Sequence, residues 1–234
     1  MSGRFLLRGD EKSVNGALND MAKSDFVAQL DAIQKAAHTK LRPLGFRKIG
    51  RSHNRATAAG LIHVINFQMG EYPIGNYVIP GIRENLYGLF TVNLGVLLPC
   101  VHRLGKFPIP RSVRDGNCTI RDRLKNPSDG QEWFSLGDDS ASSRSKIVEV
   151  LEQQGLPFLR QFETYQDVLS YYQAHDDLPF QNPGRASLEA AIIARELGNI
   201  EMSNRLFEKA HETEHMGFKE YVAEIAARLG YIVG

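Results

Sequence analysis

The sequence predicts an α+β fold: an antiparallel sheet of about four to six strands, covered by an N-terminal helix and followed by an all-helical C-terminal extension. Three observations predict it. Apolar residues recur at helical spacing before residue 42. Several β-branched and aromatic runs lie between residues 46 and 136, separated by Gly- and Pro-containing turns. After Asp138-Asp139 the hydrophobic period becomes helical and stays so. The expected division is a flexible lead over 1–22, an α+β domain over 23–175 and a helical extension over 184–234.

Ser24 reads as the N-cap of the first helix, with Asp25 in its first turn. Phe26, Leu30, Ile33, Ala37 and Leu41 then mark one apolar face. Arg42-Pro43 and Gly45 end the helix, because proline lacks a donor and glycine accepts a left-handed cap. Phe46–Ala56 reads as one or two basic strands broken at Gly50, and Ala59-Gly60 as a turn. Leu61–Met69 is the next strand, with Asn66 and Gln68 on one face because side chains alternate. Residues 70–86 form a loop. Tyr87–Leu98 carries the strongest strand signal, with Phe90, Val92, Leu94 and Val96 to one side. A Pro-rich loop follows over Pro99–Gly116, of a length that is often functional. Two short strands, Cys118–Leu124 and Glu132–Leu136, complete the sheet.

Ser142 or Ser143 caps the next expected helix, which ends at Gly155. Leu156–Phe162 and Thr164–Ala174 read as short helices, and Asp176–Pro183 as a linker. Residues 185–230 read as three helices broken at Gly198-Asn199 and near Met216-Gly217.

The net charge of +1 hides an asymmetry. Residues 1–135 hold 19 Lys/Arg against 11 Asp/Glu, a net +8; residues 136–234 hold 9 against 16, a net −7. Such a split points to different partners for the two halves, or to halves that attract each other. No apolar run approaches the roughly 18–20 residues of a membrane span. The apolar cluster Phe5–Leu7 is too short for a secretory signal, so a cytoplasmic protein without membrane contact is expected. Cys100 and Cys118 match no metal or redox spacing.

Two stretches carry a family resemblance. One is the helix ending in LRPLGFRK (Leu41–Lys48), then GRSHNR (Gly50–Arg55), then a strand ending in NFQ (Asn66–Gln68). The other is FTVNLGV (Phe90–Val96), then CTIRDRL (Cys118–Leu124) and EWFSLGDD (Glu132–Asp139). Together they resemble a bacterial domain-of-unknown-function family, DUF4304, over roughly residues 25–165. The resemblance implies an α+β domain and no particular reaction. The chain departs from it in the long 70–86 loop, in the appended helices, and in having His53-Asn54 where an aromatic is expected. Farther on, Gly198, Ser203, Phe207 and Ala210 resemble the second half of a tetratricopeptide helical hairpin, where small residues let helices approach and an aromatic fills the gap. One repeat cannot bury its own core, so this unit is expected to pack on the main domain or on a partner.

Three constellations could carry function. His211-Glu212-Thr213-Glu214-His215 is a literal HExxH, the zinc-hydrolase pattern. The tetratricopeptide resemblance implies that it falls at the end of the second helix and the turn after, whereas a metal pair needs a continuous, packed helix. No metal, cofactor or catalytic residue is therefore assigned. The basic residues Arg47, Lys48, Arg51 and Arg55, joined by Arg121 and Arg123, could contact phosphate or nucleic acid, although the sequence pI of 7.8 is below that of a dedicated binder. Glu201, Glu208, Glu212, Glu214 and Glu220 could form an acidic face for a basic protein partner. His63, inside an apolar strand, reads as a satisfied core histidine. The leading expectation is a non-enzymatic interaction protein, in its most concrete form an immunity-type protein that binds and neutralises a basic toxin. The alternatives are a nucleic-acid-binding accessory protein using the basic Arg42–Arg55 segment and a zinc-dependent hydrolase at the His211–His215 segment.

Overall fold

A computed structural model describes residues 11–71, 85–105, 108–137, 140–175, 183–212 and 216–234. The expected loop over 70–86 and linker over 176–183 fall mostly outside these residues. The first helix, α1 (Glu11–Leu41), has 31 residues and begins well before Ser24, which is interior to it. The lead expected over residues 1–22 is thus helical from Glu11 onward. Glu11, Lys12, Ala17, Leu18, Met21 and Ala22 are good helix formers, and extending a formed helix needs no new nucleus. A 3-10 turn at Arg42–Leu44 ends it, and Gly45 at φ +89° makes the left-handed cap.

Among the described residues six strands follow: β1 (Arg47–Ile49), β2 (Ser52–Ala56), β3 (Ile62–Met69), β4 (Leu89–Leu97), β5 (Ile120–Arg123) and β6 (Phe134–Ser135). All pairings are antiparallel in the order β1-β2-β3-β4-β5, and β6 pairs with the start of β4. β5 and β6 therefore lie along the same edge of β4 and do not pair with each other. The loop expected over Pro99–Gly116 contains a short helix, α2 (Pro99–His102).

Alternation gives the sheet two faces. Ile65, Phe67, Phe90, Val92, Leu94, Val96 and Ile120 share the face buried under Leu30, Ile33, Ala37 and Leu41 of α1. Gln34 of α1 is also buried there, and its amide donates to Gly50 O at 2.9 Å, pinning the β1–β2 turn to the helix. The next helix, α3 (Ser140–Val150), lies beside α1 and does not stop at Gly155. It passes through a π turn (Leu151–Gly155) into α4 (Leu156–Arg160). Pro157 explains the irregularity: it has no N–H for the carbonyl four residues back, and the wider turn absorbs the mismatch. Ser142 and Ser143 are interior to α3.

Thr164 caps α5 (Tyr165–Ala174) in a reciprocal box with Asp167. Then come α6 (Pro183–Glu196), α7 (Ile200–His211) and α8 (Met216–Arg228). Gly198, at φ +77°, turns α6 into α7. Ser203 Oγ donates to Ala191 O at 2.8 Å, and Phe207 and Ala210 are fully buried between the helices. One continuous core runs from Leu30 to Ala226, so these helices pack on the main domain. Arg103–Glu196 at 3.2 Å and Arg228 Nη1 to Leu104 O at 2.8 Å join them to the segment after β4. Among the described residues no helix is long and apolar enough to cross a membrane.

The other sheet face holds a smaller apolar cluster of Val64, Leu97, Val113 and Cys118, with Ile62 against it. This cluster seats the segment 108–119 on the sheet. Gly95 of β4 makes room for it: a Cβ there would meet Cys118 Sγ at 2.5 Å and Cys118 Cβ at 2.8 Å. Gly95→Ala is expected to cost about 1–3 kcal/mol by overpacking. It should also raise amide exchange across 108–119 more than in α6–α8, as hydrogen exchange would measure.

Candidate binding site on the open sheet face

Register builds a polar row on this second face. Cα partners run Ser52–Asn66–Asn93–Arg123 across β2, β3, β4 and β5, with Gln68 and Thr91 as the neighbouring pair on β3 and β4. The bonds follow the row. Asn66 Nδ2 donates to Ser52 Oγ at 2.8 Å. Asn93 Nδ2 donates to Gln68 Oε1 at 2.9 Å, and Asn93 Oδ1 accepts from Arg123 Nε at 2.9 Å. Arg123 Nη1 ends the chain on Glu132 at 2.8 Å. Ser52, Asn66, Thr91 and Asn93 are all buried, and amides so placed hold fixed directions. The Thr91 hydroxyl has no hydrogen-bond partner among the described residues.

The segment 108–119 forms one wall beside this row. Asn54, on the same face, makes a two-point bond to it: Nδ2 donates to Val113 O at 2.9 Å, and Val113 N donates to Oδ1 at 3.0 Å. Between wall and sheet lies a trough of about 1020 Å³, lined by Ser52, Asn66 and Gln68 from the sheet and by Ser112, Arg114 and Asn117 from the segment. Its charged lining is balanced, Arg51 and Arg114 against Glu71 and Asp115. A second groove, about 860 Å³, runs between α1 and α3 over Ala32 and Ala36, and Lys40 and Glu152 pair beside it at 3.4 Å.

The basic residues singled out from the sequence are not brought into one patch. Arg47, Arg121 and Arg123 belong to the open face, while Lys48 and Arg55 belong to the helix-covered face. Arg51, in the β1–β2 turn, pairs with Asp31 of α1 at 2.7 Å. Arg55 is a half-buried cation: it pairs with Glu163, lies 5.5 Å from the Phe46 ring centroid, and donates to His63 Nδ1 at 2.9 Å. His63 donates through Nε2 to Phe162 O at 2.8 Å, so both ring nitrogens are satisfied in one neutral tautomer. Burial holds its pKa below the usual imidazole value. The reading of His63 as a core histidine agrees with this geometry.

Of the acidic residues, Glu201, Glu212 and Glu220 are exposed on α7, at its end and on α8. Glu208 accepts from the Tyr231 hydroxyl and from Gly234 N, which lowers its pKa. Arg205 and Lys209 interrupt the row on α7. Glu214 and His215 lie outside the described residues. α7 ends at His211 and α8 starts at Met216, and Thr213 of the HExxH segment likewise lies outside the described residues. Among the described residues no cluster of three metal-ligating side chains exists. Burial raises the Cys100 thiol to about 11 and pushes Cys118 higher still, so both are protonated at neutral pH.

The charge split is partly consumed inside the molecule. Lys40–Glu152, Arg55–Glu163 and Arg103–Glu196 each join a first-half cation to a second-half carboxylate. Pairs as exposed as Lys40–Glu152 and Arg103–Glu196 contribute only about 0–1 kcal/mol each, and they leave less free charge for partners. Sequence reasoning placed Asn66 and Gln68 on one face but missed Ser52 and Asn93 as their companions. The available signal was an amide in the middle of an apolar strand, Asn93 in FTVNLGV, where β propensity disfavours it.

A family model described as a domain of unknown function (DUF4304) matches residues 37–161. The match runs from the last turn of α1 through the six described strands to the Gln161 that follows α4, so it contains the trough and leaves α5–α8 outside. No curated protein and no solved structure matches the chain.

Proposed function

Because the chain belongs to the DUF4304 family, whose description carries no activity, we propose from its geometry that it is a non-enzymatic protein-interaction protein whose partner occupies the trough on the open sheet face. The observation that carries this is a pair of bonded polar groups, Asn66 with Ser52 and Gln68 with Asn93 and Arg123, of which Ser52, Asn66 and Gln68 line a concave space. Fixed polar groups in a cleft are what specific recognition uses. Nothing in the row supplies an activated nucleophile. Its one serine accepts a bond from Asn66, and the adjacent His53 lies on the opposite face of the sheet.

The narrower form, an immunity-type protein that neutralises a basic toxin through its acidic helices, draws support from the −7 charge of residues 136–234. The engagement of Glu208 and the intervening Arg205 and Lys209 weaken that surface. The nucleic-acid alternative loses support where its cations divide between two faces and Arg51, Arg55 and Arg123 are paired.

Affinity capture with the full chain tests the reading. Wild type and a Glu201→Lys/Glu220→Lys variant are expected to recover the same stoichiometric protein, and an Asn66→Leu/Gln68→Leu variant to lose it. Retention by the trough variant, or loss by the helix variant alone, would move the site elsewhere.

A further inference from the structure

We infer that the trough holds an extended peptide segment of the partner, paired through its backbone with the side-chain amides of Asn66 and Gln68. This deepens, and rests on, the interaction reading above. The protein already shows the mode on itself. Asn54 bonds the N–H and the C=O of a single residue, Val113. Both groups of one residue point the same way only in extended backbone. The Asn54 side chain thus stands in for a neighbouring strand, which exchanges the same pair of bonds.

The same chemistry continues where segment 108–119 leaves the face open. Asn66 and Gln68 are two residues apart on β3, about 6.7 Å along the strand. That is the repeat at which an extended peptide presents successive N–H and C=O pairs on one side. Both amides keep capacity for it. Asn66 spends one N–H on Ser52, and Gln68 accepts one bond from Asn93. Asn66 Oδ1 and Gln68 Nε2 have no partner among the described residues. Asn66 is only 7% exposed, so its free oxygen faces a built site.

Size and charge agree with a peptide. About 1020 Å³ is at the top of the roughly 300–1,000 Å³ range of small-ligand sites. The balanced lining favours neither a polyanion nor a strongly charged segment.

The full-length chain, used to select from a displayed library of random linear peptides, tests the inference. Selected peptides are expected to lose about tenfold or more in affinity on Gln68→Leu, an exposed position. N-methylation of the peptide should weaken binding at alternate residues only, a readout that leaves the protein unaltered. Binding should change little with salt. Three results would overturn the inference: selected peptides indifferent to both changes, self-association of the chain that depends on Gln68, or salt-steep binding of oligonucleotides in the same trough. If partner capture still depends on the trough while the peptides do not, the backbone mode fails and the interaction reading stands. If capture ignores the trough, that reading fails first.

Discussion

Phe207→Ala is expected to destabilise the whole chain by about 3–5 kcal/mol, in one transition. The ring is fully buried, stacked 6.1 Å from the Tyr231 ring, and lies in the helical extension far in sequence from the sheet. A separable extension would unfold by itself and leave the sheet where it was. The continuous core from Leu30 to Ala226 predicts otherwise. Two probes decide. Far-ultraviolet dichroism follows the helices. Trp133, the only tryptophan, lies next to β6 and follows the sheet. Both midpoints should fall together by roughly 6–20 °C, at about 2–4 °C per kcal/mol for a chain of this size. A tryptophan transition that stays put while the helical signal drops would show two cooperative units.

The parts of this fold that were legible in the sequence are those written in local chemistry. The turn at Gly50, the strands around Val64 and Val92, the short helix beginning at Thr164 and the Gly198 turn each depend on a few consecutive residues. The beginning of α1 was misread because Ser24 is a good cap in isolation, and nothing local shows that the helix is already formed upstream. The π turn was misread because Gly155 resembles a helix end. Its lack of a side chain instead serves packing: a Cβ there would meet Leu124 Cδ2 at 3.2 Å.

The site was only half legible, for a related reason. Asn66 and Gln68 fall together by strand alternation, but Asn93 joins them only through the β3–β4 register, and Val113 meets Asn54 across 59 positions. A side-chain bond to distant backbone leaves no periodic trace. The basic run misled in the opposite direction. Lys48 and Arg47 are adjacent in sequence, and adjacency in a strand places them on opposite faces. Arg55 found its carboxylate 108 positions away.

Acid should destabilise the protein through His53. This side chain is fully buried between α1 and the sheet, with ring centroids 5.3 Å from His38 and 5.7 Å from Phe67. Its two nitrogens make no hydrogen bond of good geometry, and the Ile65 backbone offers only weak compensation. Burial, then the nearby His38 and Lys48 charges, lower its pKa from 6.5 to about 4. The folded value is below the unfolded one, so the unfolded chain takes up the proton first. The stability due to neutral His53 is therefore complete above about pH 6.5 and is lost as pH falls toward 4, a change of about 3 kcal/mol. His63, lowered in the same direction, adds to the slope. His53→Leu keeps an apolar group of similar size in place and removes the titration. Urea unfolding of both proteins between pH 7 and pH 4 makes the comparison. The variant should match or exceed wild type at pH 7, where two unsatisfied nitrogens have been removed, and should lose much less on acidification. Parallel pH dependences in the two proteins would mean that some other group, and not this imidazole, governs the response to acid.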